Sequence, residues 1–273
     1  MPPAISVVIR TFNSAGTLPE VLAKLEPQPD DEIIIVDSGS TDATLEIARK
    51  HHARIIIAEK PFNHSKSLNL GFRAAKNPWV LVLSSHCIPI EPDFLSAHRS
   101  AIVRFPANVA VGYGSASMTG EGRLKGAKEE ALVFSKDDFD RVRGAVAGNT
   151  NSIYRKTAWE ELSFDETIRT GEDLIWFEEM MRRNYRYAYI SRAKTLYDNR
   201  GSLGYMFRKG FSEQRAYNHL AHGPMTLWDL AGAFKGVLKM TGKIRVGIAA
   251  RRCAHILGAF FGSYFSPNNE PEK

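Results

Sequence analysis

Ser84, Ser85, His86 and Cys87 follow directly on an apolar run, Val80-Leu81-Val82-Leu83. Open α/β sheets bind ligands just beyond the carboxyl ends of their strands, so a hydroxyl, imidazole or thiol there can meet a phosphate or a metal ion. Two earlier apolar runs end in the same way. Residues 5–9 (ISVVI) lead into Arg10-Thr11-Phe12-Asn13, and residues 32–36 (EIIIV) lead into Asp37-Ser38-Gly39-Ser40-Thr41-Asp42. A further pair of acids, Glu172-Asp173, opens a segment of helical spacing, where the helix dipole favours negative charge.

The elements that must position these groups follow from periodicity. Residues 5–9, 32–36, 54–58 and 80–83 read as strands, the second and fourth of them buried. Between them, 16–25 has helical spacing at Leu18, Val21, Leu22 and Leu25. Ser40 or Thr41 is placed to cap a helix carrying Leu45, Ile47 and Ala48. A third helix is expected over 66–76, stopping at Asn77-Pro78. Strands alternating with helices of about ten residues imply a mostly parallel sheet covered by helices on both faces. The second half is less regular. Helices are expected over 92–104, near Trp159, over 172–184 and over 202–219. Strands or extended pieces are expected over 109–113, 147–154 and 187–190, and residues 114–126, rich in glycine and serine, read as a mobile loop.

Composition narrows the class. The chain has 273 residues, 44% hydrophobic and 24% charged, as ordinary globular proteins do. Its two cysteines, Cys87 and Cys253, make neither a disulfide framework nor a zinc spacing, which fits a reducing, cytoplasmic setting. The opening MPPAISVVIRTFN lacks the basic and apolar regions of a secretory signal, and no apolar run reaches the ~18 residues of a membrane span. The net charge of +6 is uneven. Between 225 and 265, Lys235, Lys239, Lys243, Arg245, Arg251 and Arg252 face only Asp229. Apolar residues recur there at helical spacing, at Leu227, Leu230, Phe234, Val237 and Leu238, and again at Ile256, Leu257, Phe260, Phe261 and Tyr264. This basic amphipathic region fits an anionic membrane surface; the other reading is helices packed on the main domain or on a second copy in a homodimer. No nucleic-acid motif accompanies the charge, so no nucleic-acid partner is expected.

Three stretches together resemble the family 2 glycosyltransferases of the GT-A fold. They are VVIRTFN at 7–13, IIIVDSGSTDATLEIA at 33–48 and GEDLIWFEEMMRRNYRYAYI at 171–190. The segment PFNHSKSLNLGFRAAKNPWVLVLSSHCIP at 61–89 is similar to the rhamnosyltransferase-like branch, with its Phe-x-His and Asn-x-Gly elements. The resemblance implies an α/β, Rossmann-like GT-A domain over 1–220; a helical extension over 221–266 and a polar, disordered tail over 267–273 are expected to follow it. It also implies an inverting transfer of one sugar from a nucleotide-diphosphate donor to a glycan or lipid-linked acceptor. Such a transfer needs a carboxylate to take the acceptor proton and positive charge to meet the departing diphosphate.

On this resemblance Asp173 is the general base, and Glu172 positions the acceptor or holds a cation. Thr11, Asn13 and Asp37 line the base and ribose pocket, and His64, Lys66, Asn69, Ser85, His86 and Arg200 meet the rest of the donor. Asn149, Asn151 and Trp176 line the sugar and acceptor pocket. For each there is a structural alternative: Asp37 as a helix cap, His64 as a helix-start residue, the two asparagines as turn residues, Trp176 as core. The family's Asp-x-Asp metal motif is replaced here by Ser85-His86-Cys87, which puts a Mn²⁺ or Mg²⁺ cofactor in doubt. His86, Cys87 and Asp198 are the candidate ligands if one binds. The metal-poor alternative gives the diphosphate to Arg200 and His86. Gln214-Arg215-Ala216-Tyr217 departs from the Gln-x-x-Arg-Trp of processive members, against a polymerising synthase. A nucleotidyltransferase would need a glycine-rich basic loop after the first strand, and Arg10-Thr11-Phe12-Asn13 is not one. The competing class is a non-catalytic protein that binds sugar nucleotides or glycans on the same fold.

Overall fold

The computed structural model describes residues 3–117, 131–135, 138, 148–168, 171–197, 202–218, 226–227, 230–231, 233 and 246–264. By compactness the chain divides into two units, Met1–Asn199 and Arg200–Lys273.

In the first unit, β1 (Ile5–Thr11), β2 (Glu32–Asp37), β3 (Arg54–Ile57) and β4 (Trp79–Ser84) lie parallel in the order β3-β2-β1-β4. Helices α1 (Leu18–Ala23), α2 (Thr44–Lys50) and α3 (His64–Ala74) make the crossovers. Strands β1, β2 and β4 are apolar almost throughout because both faces of the sheet are covered. On one face Ile5, Val7 and Ile9 join Leu18, Val21 and Leu22 of α1 and Phe94, Leu95 and Ile102 of α4 (Phe94–Arg104). On the other, Gly71 of α3 rests against Val8 and Val36; a Cβ there would overlap the Val8 side chain. Glycine therefore sets how closely α3 approaches the sheet.

The second half of the sheet is mixed. After β4 the chain forms β5 (Cys87–Pro89), then α4, β6 (Val109–Ser117), β7 (Ala131–Phe134), β8 (Asn151–Arg155), α5 (Lys156–Glu161), α6 (Glu172–Arg182) and β9 (Arg186–Tyr197). The full order is β3-β2-β1-β4-β8-β6-β9-β5, with β7 on β9. Strand β8 runs antiparallel to both β4 and β6, with Leu83 opposite Asn151. This direction matters for the site, because it brings the start of β8 to the carboxyl end of β4.

Several boundaries differ from the sequence-based expectation. Strand β6 continues to Ser117, because Ser115–Ser117 pair with Lys194–Leu196 beyond a register shift; the expected loop therefore begins later, and 118–126 lies outside the described residues. Neither Ser40 nor Thr41 caps α2. The cap position is Ala43, and Asp42 instead accepts the Thr44 backbone N–H at 3.0 Å. Helix α3 starts at His64, with the Asn63 side chain accepting the Lys66 N–H at 2.9 Å.

The second unit contains α7 (Leu203–Asn218) and α8 (Val246–Gly262). Gly258 and Gly262, one turn apart on α8, face the backbone of Phe207 and Phe211, and Gly210 faces the His255 carbonyl. A Cβ at any of the three would collide with backbone, so the two helices meet through glycine. No described helix is long and apolar enough to cross a membrane. Leu257, Phe261 and Tyr264 remain exposed. Most of the apolar set at 227–238, and the tail after 264, lie outside the described residues.

Candidate active site

The carboxyl ends of β2, β1 and β4 lie side by side, with Thr11 opposite Asp37 and Arg10 opposite Ser84. Two clusters stand on this edge, joined through the adjacent residues Arg10 and Thr11.

The first cluster is built on Asp37. Its carboxylate is fully buried and accepts four hydrogen bonds. Oδ1 takes the backbone N–H of Gly39 at 2.9 Å and of Ser40 at 2.8 Å; Oδ2 takes the hydroxyls of Thr11 at 2.7 Å and Ser40 at 2.6 Å. Burial pushes the carboxyl pKa upward, but the hydrogen bonds from Ser40, Thr11 and Gly39 outweigh it and hold the group below its ordinary value. Gly39 supplies the left-handed turn, with φ 91°. Asn13 completes the loop pair: its N–H donates to the Ser40 hydroxyl at 2.8 Å, and its Oδ1 accepts the Thr41 N–H at 2.9 Å. Asp37 thus braces the loop with every acceptor site in use; a direct contact to a base would have to displace one of these donors.

The second cluster is built on the acidic pair that opens α6. Gly171, at φ 81°, turns the chain into the helix. Asp173 accepts the backbone N–H of Asn149 and of Leu174, each at 2.8 Å. Glu172, 5% exposed, accepts from the Asn149 side-chain amide at 3.1 Å, and Arg10 stands 3.7 Å from it. Asn149 is held in turn by the Tyr154 hydroxyl, which donates to its Oδ1 at 2.5 Å. The same guanidinium nitrogen, Arg10 Nη1, also meets His64 Nδ1. Burial raises the Asp173 pKa, and the neighbouring Glu172 charge adds to this. The two backbone donors and Arg10 pull the other way, and the balance lies at about 7. A carboxylate in that range can take a proton at neutral pH.

The structure brings Asp173, Glu172, Asn149 and His64 together, and separately Thr11, Asn13 and Asp37. Other expected site residues serve the scaffold instead. Asn69 is fully buried on the inner face of α3, bonded to Trp159, Phe164 and Glu166, so it cannot face a donor. Asn151 is fully buried and bonded to His98, Ser115 and Ala193. Trp176 packs against Tyr154 and Phe164 and donates its indole N–H to the Leu162 carbonyl, which removes it from stacking on a sugar. Lys66 is exposed in the first turn of α3. Arg200 and Asp198 lie outside the described residues.

The Ser85-His86-Cys87 segment does not make a cation cage. The Ser85 hydroxyl bonds to Ser14 at 2.8 Å, and its carbonyl accepts from Thr17 at 2.7 Å. Cys87 is fully buried in the apolar core on β5, which takes its sulfur away from the edge. His86 lies within 3.1 Å of the Ser84 hydroxyl and packs edge-on against Tyr197. Among the described residues, no group of three or more His, Cys, Asp or Glu side chains is placed to hold a metal ion. Ser85, bonded to Ser14, and Cys87, in the core, are poorly placed to hold the divalent ion that a GT-A fold implies.

Arg10, Ser40 and Phe12 belong to the edge and were not anticipated. Arg10 carries a readable signal: a cation at the penultimate position of a strand otherwise buried and uncharged. Phe12 is 62% exposed where β1 ends, a free aromatic face beside the Asp37 loop.

Residues 6–163 match the model of "Glycosyl transferase family 2", a span that includes Arg10, Asp37, His64 and Asn149 and ends before Glu172. The chain is 27% identical over 205 residues to the O-antigen chain rhamnosyltransferase RfbN of Salmonella typhimurium, covering 69% of this chain and 64% of that one. It is 24% identical over 230 residues to the O-antigen chain rhamnosyltransferase WbaN of Salmonella anatum, covering 77% and 70%. Among solved structures, it is similar to a mannosyltransferase of Pyrobaculum calidifontis in complex with GDP-Man and Mn²⁺, with a TM-score of 0.63, 15% identity and coverage of 97% and 86%. It is also similar to glucosyl-3-phosphoglycerate synthase of Mycobacterium tuberculosis with Mg²⁺ and UDP, with a TM-score of 0.60, 17% identity and coverage of 80% and 78%.

Proposed function

The chain belongs to glycosyl transferase family 2, and from that premise we propose that it moves one sugar from a nucleotide-diphosphate sugar to a glycan or lipid-linked acceptor, with inversion. The observation that carries this reading is the Asp173 carboxylate, fixed by two backbone donors at the carboxyl edge of the sheet and poised near neutrality. The acceptor hydroxyl oxygen attacks the anomeric carbon, its proton passes to Asp173, and the bond from that carbon to the diphosphate oxygen breaks with its electron pair leaving on the nucleoside diphosphate. Proton transfer of this kind is worth ~10²–10⁴ in rate. The Asp37 loop is the donor end: Thr11, Asn13 and Ser40 form a rigid polar turn, and Phe12 offers a face on which a base can stack. The contact to the diphosphate is assigned to His86, which follows β4 at the carboxyl edge of the sheet. The similarity to two O-antigen chain rhamnosyltransferases supports sugar transfer to a glycan acceptor, with rhamnose a candidate sugar.

The test is a thermal-shift screen with UDP-, GDP- and dTDP-sugars, each with Mn²⁺, with Mg²⁺ and with chelator. A ligand specific to the folded state adds about 2.7 kcal/mol of stability at a hundredfold excess over Kd. The expected result is a shift with one nucleotide that survives chelation, and turnover of that donor that Asp173→Asn abolishes. A shift that needs Mn²⁺ would move the leaving-group charge to a metal. Donor binding with no turnover in the unaltered chain would favour a non-catalytic binding protein on this fold.

A further inference from the structure

Glu172 and Asp173 are neighbours in sequence with different partners. Asp173 takes backbone N–H groups, from Asn149 and Leu174. Glu172 takes the Asn149 amide and stands in an ion pair with Arg10, reaching from the end of β1. A carboxylate buried to this degree keeps its charge only where a cation and hydrogen bonds compensate it. His64 Nδ1 meets the same Arg10 Nη1, which can only donate, so that the imidazole nitrogen accepts.

We infer that Arg10 is a positioning residue: its ion pair places the cation on Glu172 and leaves Asp173, held by two backbone N–H groups, as the member of the acidic pair that exchanges a proton. The inference rests on the reading of Asp173 as general base and gives that residue its electrostatic setting. Two carboxyl groups side by side cannot both be readily charged in a buried site, so whichever has the cation ionises first. The other groups near Asp173 do not compete for the proton. Tyr113 on β6 and Tyr154 on β8 are fully buried, and burial keeps both phenols neutral, with pKa values well above 10. His64, at the start of α3, meets the Arg10 nitrogen that also faces Glu172.

Carboxyl ¹³C NMR on protein labelled at Asp and Glu tests this without any ligand. The resonances of Asp173 and Glu172 are assigned by their loss in Asp173→Asn and Glu172→Gln. In the unaltered chain, the proton taken up near neutral pH is expected on Asp173. Arg10→Gln should move that uptake to Glu172, and Arg10→Lys, which keeps a cation, should leave it on Asp173. Uptake on Glu172 in the unaltered chain, or on Asp173 alone in Arg10→Gln, overturns the inference. Should Arg10→Gln fail to fold, Glu172→Gln serves instead: removing the adjacent charge should lower the Asp173 midpoint by about one unit or more, and an unmoved midpoint overturns the pairing. Because no donor is used, this result is independent of the donor screen and of turnover, so each reading can fail alone.

Discussion

The backbone N–H of Asn149 donates to the Asp173 carboxylate at 2.8 Å across 24 residues of sequence. The contact exists because β8 runs against its neighbours: Asn151 lies opposite Leu83, so the residues just before it reach the carboxyl end of β4. A parallel strand at this place would have put Asn149 at the opposite end of the sheet, away from α6.

Asp173→Asn should therefore reduce kcat by ~10²–10⁴ while leaving donor affinity unchanged. In the unaltered chain, kcat/KM should rise with pH through about 7, as the carboxyl ionises. Stability should run the other way. The Asp173 pKa is raised above its ordinary 3.8, so its contribution is fully present below that value and is lost as pH rises through about 7. Melting temperatures between pH 4 and 8 should fall more steeply for the unaltered chain than for Asp173→Asn. Parallel curves would mean that the carboxyl is ionised throughout.

Asn69→Ala should destabilise without touching donor binding. Asn69 Oδ1 accepts the Trp159 indole N–H at 3.0 Å and the Phe164 N–H at 3.2 Å, and its amide donates to the Phe164 carbonyl and Glu166, each at 2.9 Å. Truncation strands these groups in a buried setting, at about 2–4 kcal/mol. Urea unfolding should show that loss, and calorimetry on the folded fraction should show an unchanged donor Kd. A weakened Kd would return Asn69 to the donor site.

Asn69 also shows where sequence reasoning stops. The alternation of strands and helices was legible because strands covered on both faces must be apolar along their length, as β1, β2 and β4 are. The acidic pair was legible because Glu172-Asp173 opens a helix beside a recognisable family pattern. Direction was not: periodicity gives the faces of residues 151–155 but not the neighbour or the sense of pairing. Nor were the partners of buried amides, since those of Asn69 lie 90 to 97 residues away. A polar residue type near a motif says that hydrogen bonds are needed, not whether a ligand or the backbone will supply them. Arg10 was overlooked because its meaning lies in what meets it, Glu172 from α6 and His64 from α3.

The second unit offers a separate expectation. Leu257, Phe261 and Tyr264, spaced four and three residues apart, leave one exposed apolar stripe on and just past α8. Six Lys and Arg residues between 225 and 265, against Asp229, give the region its charge. The chain should co-sediment with vesicles containing phosphatidylserine, less so at high salt, and weakly with phosphatidylcholine alone. Phe261→Ser with Tyr264→Ser should reduce binding. Equal recovery with both vesicle types, or none with either, would leave the stripe to a protein contact.

The Asp37 loop carries the last prediction, and its sign is opposite to that of Asp173. Asp37 is held below its ordinary 3.8, since the hydrogen bonds from Ser40, Thr11 and Gly39 outweigh burial. Its contribution is therefore present above 3.8 and is lost as pH falls through the lower folded value. Asp37→Asn keeps an acceptor for the Gly39 and Ser40 N–H groups, and its amide can donate to the Thr11 and Ser40 hydroxyls once these rotate. What goes is the charge on four bonds, about 1–3 kcal/mol at neutral pH. The difference between the two chains in urea should be full at pH 7 and should narrow below pH 4, where the carboxyl of the unfolded chain begins to take its proton. Donor affinity should weaken at pH 7, because Asn13 and Ser40 are positioned through the same carboxylate. A stability gap that is constant from pH 7 to pH 3 would show that the loop depends on the shape of the side chain and not on its charge.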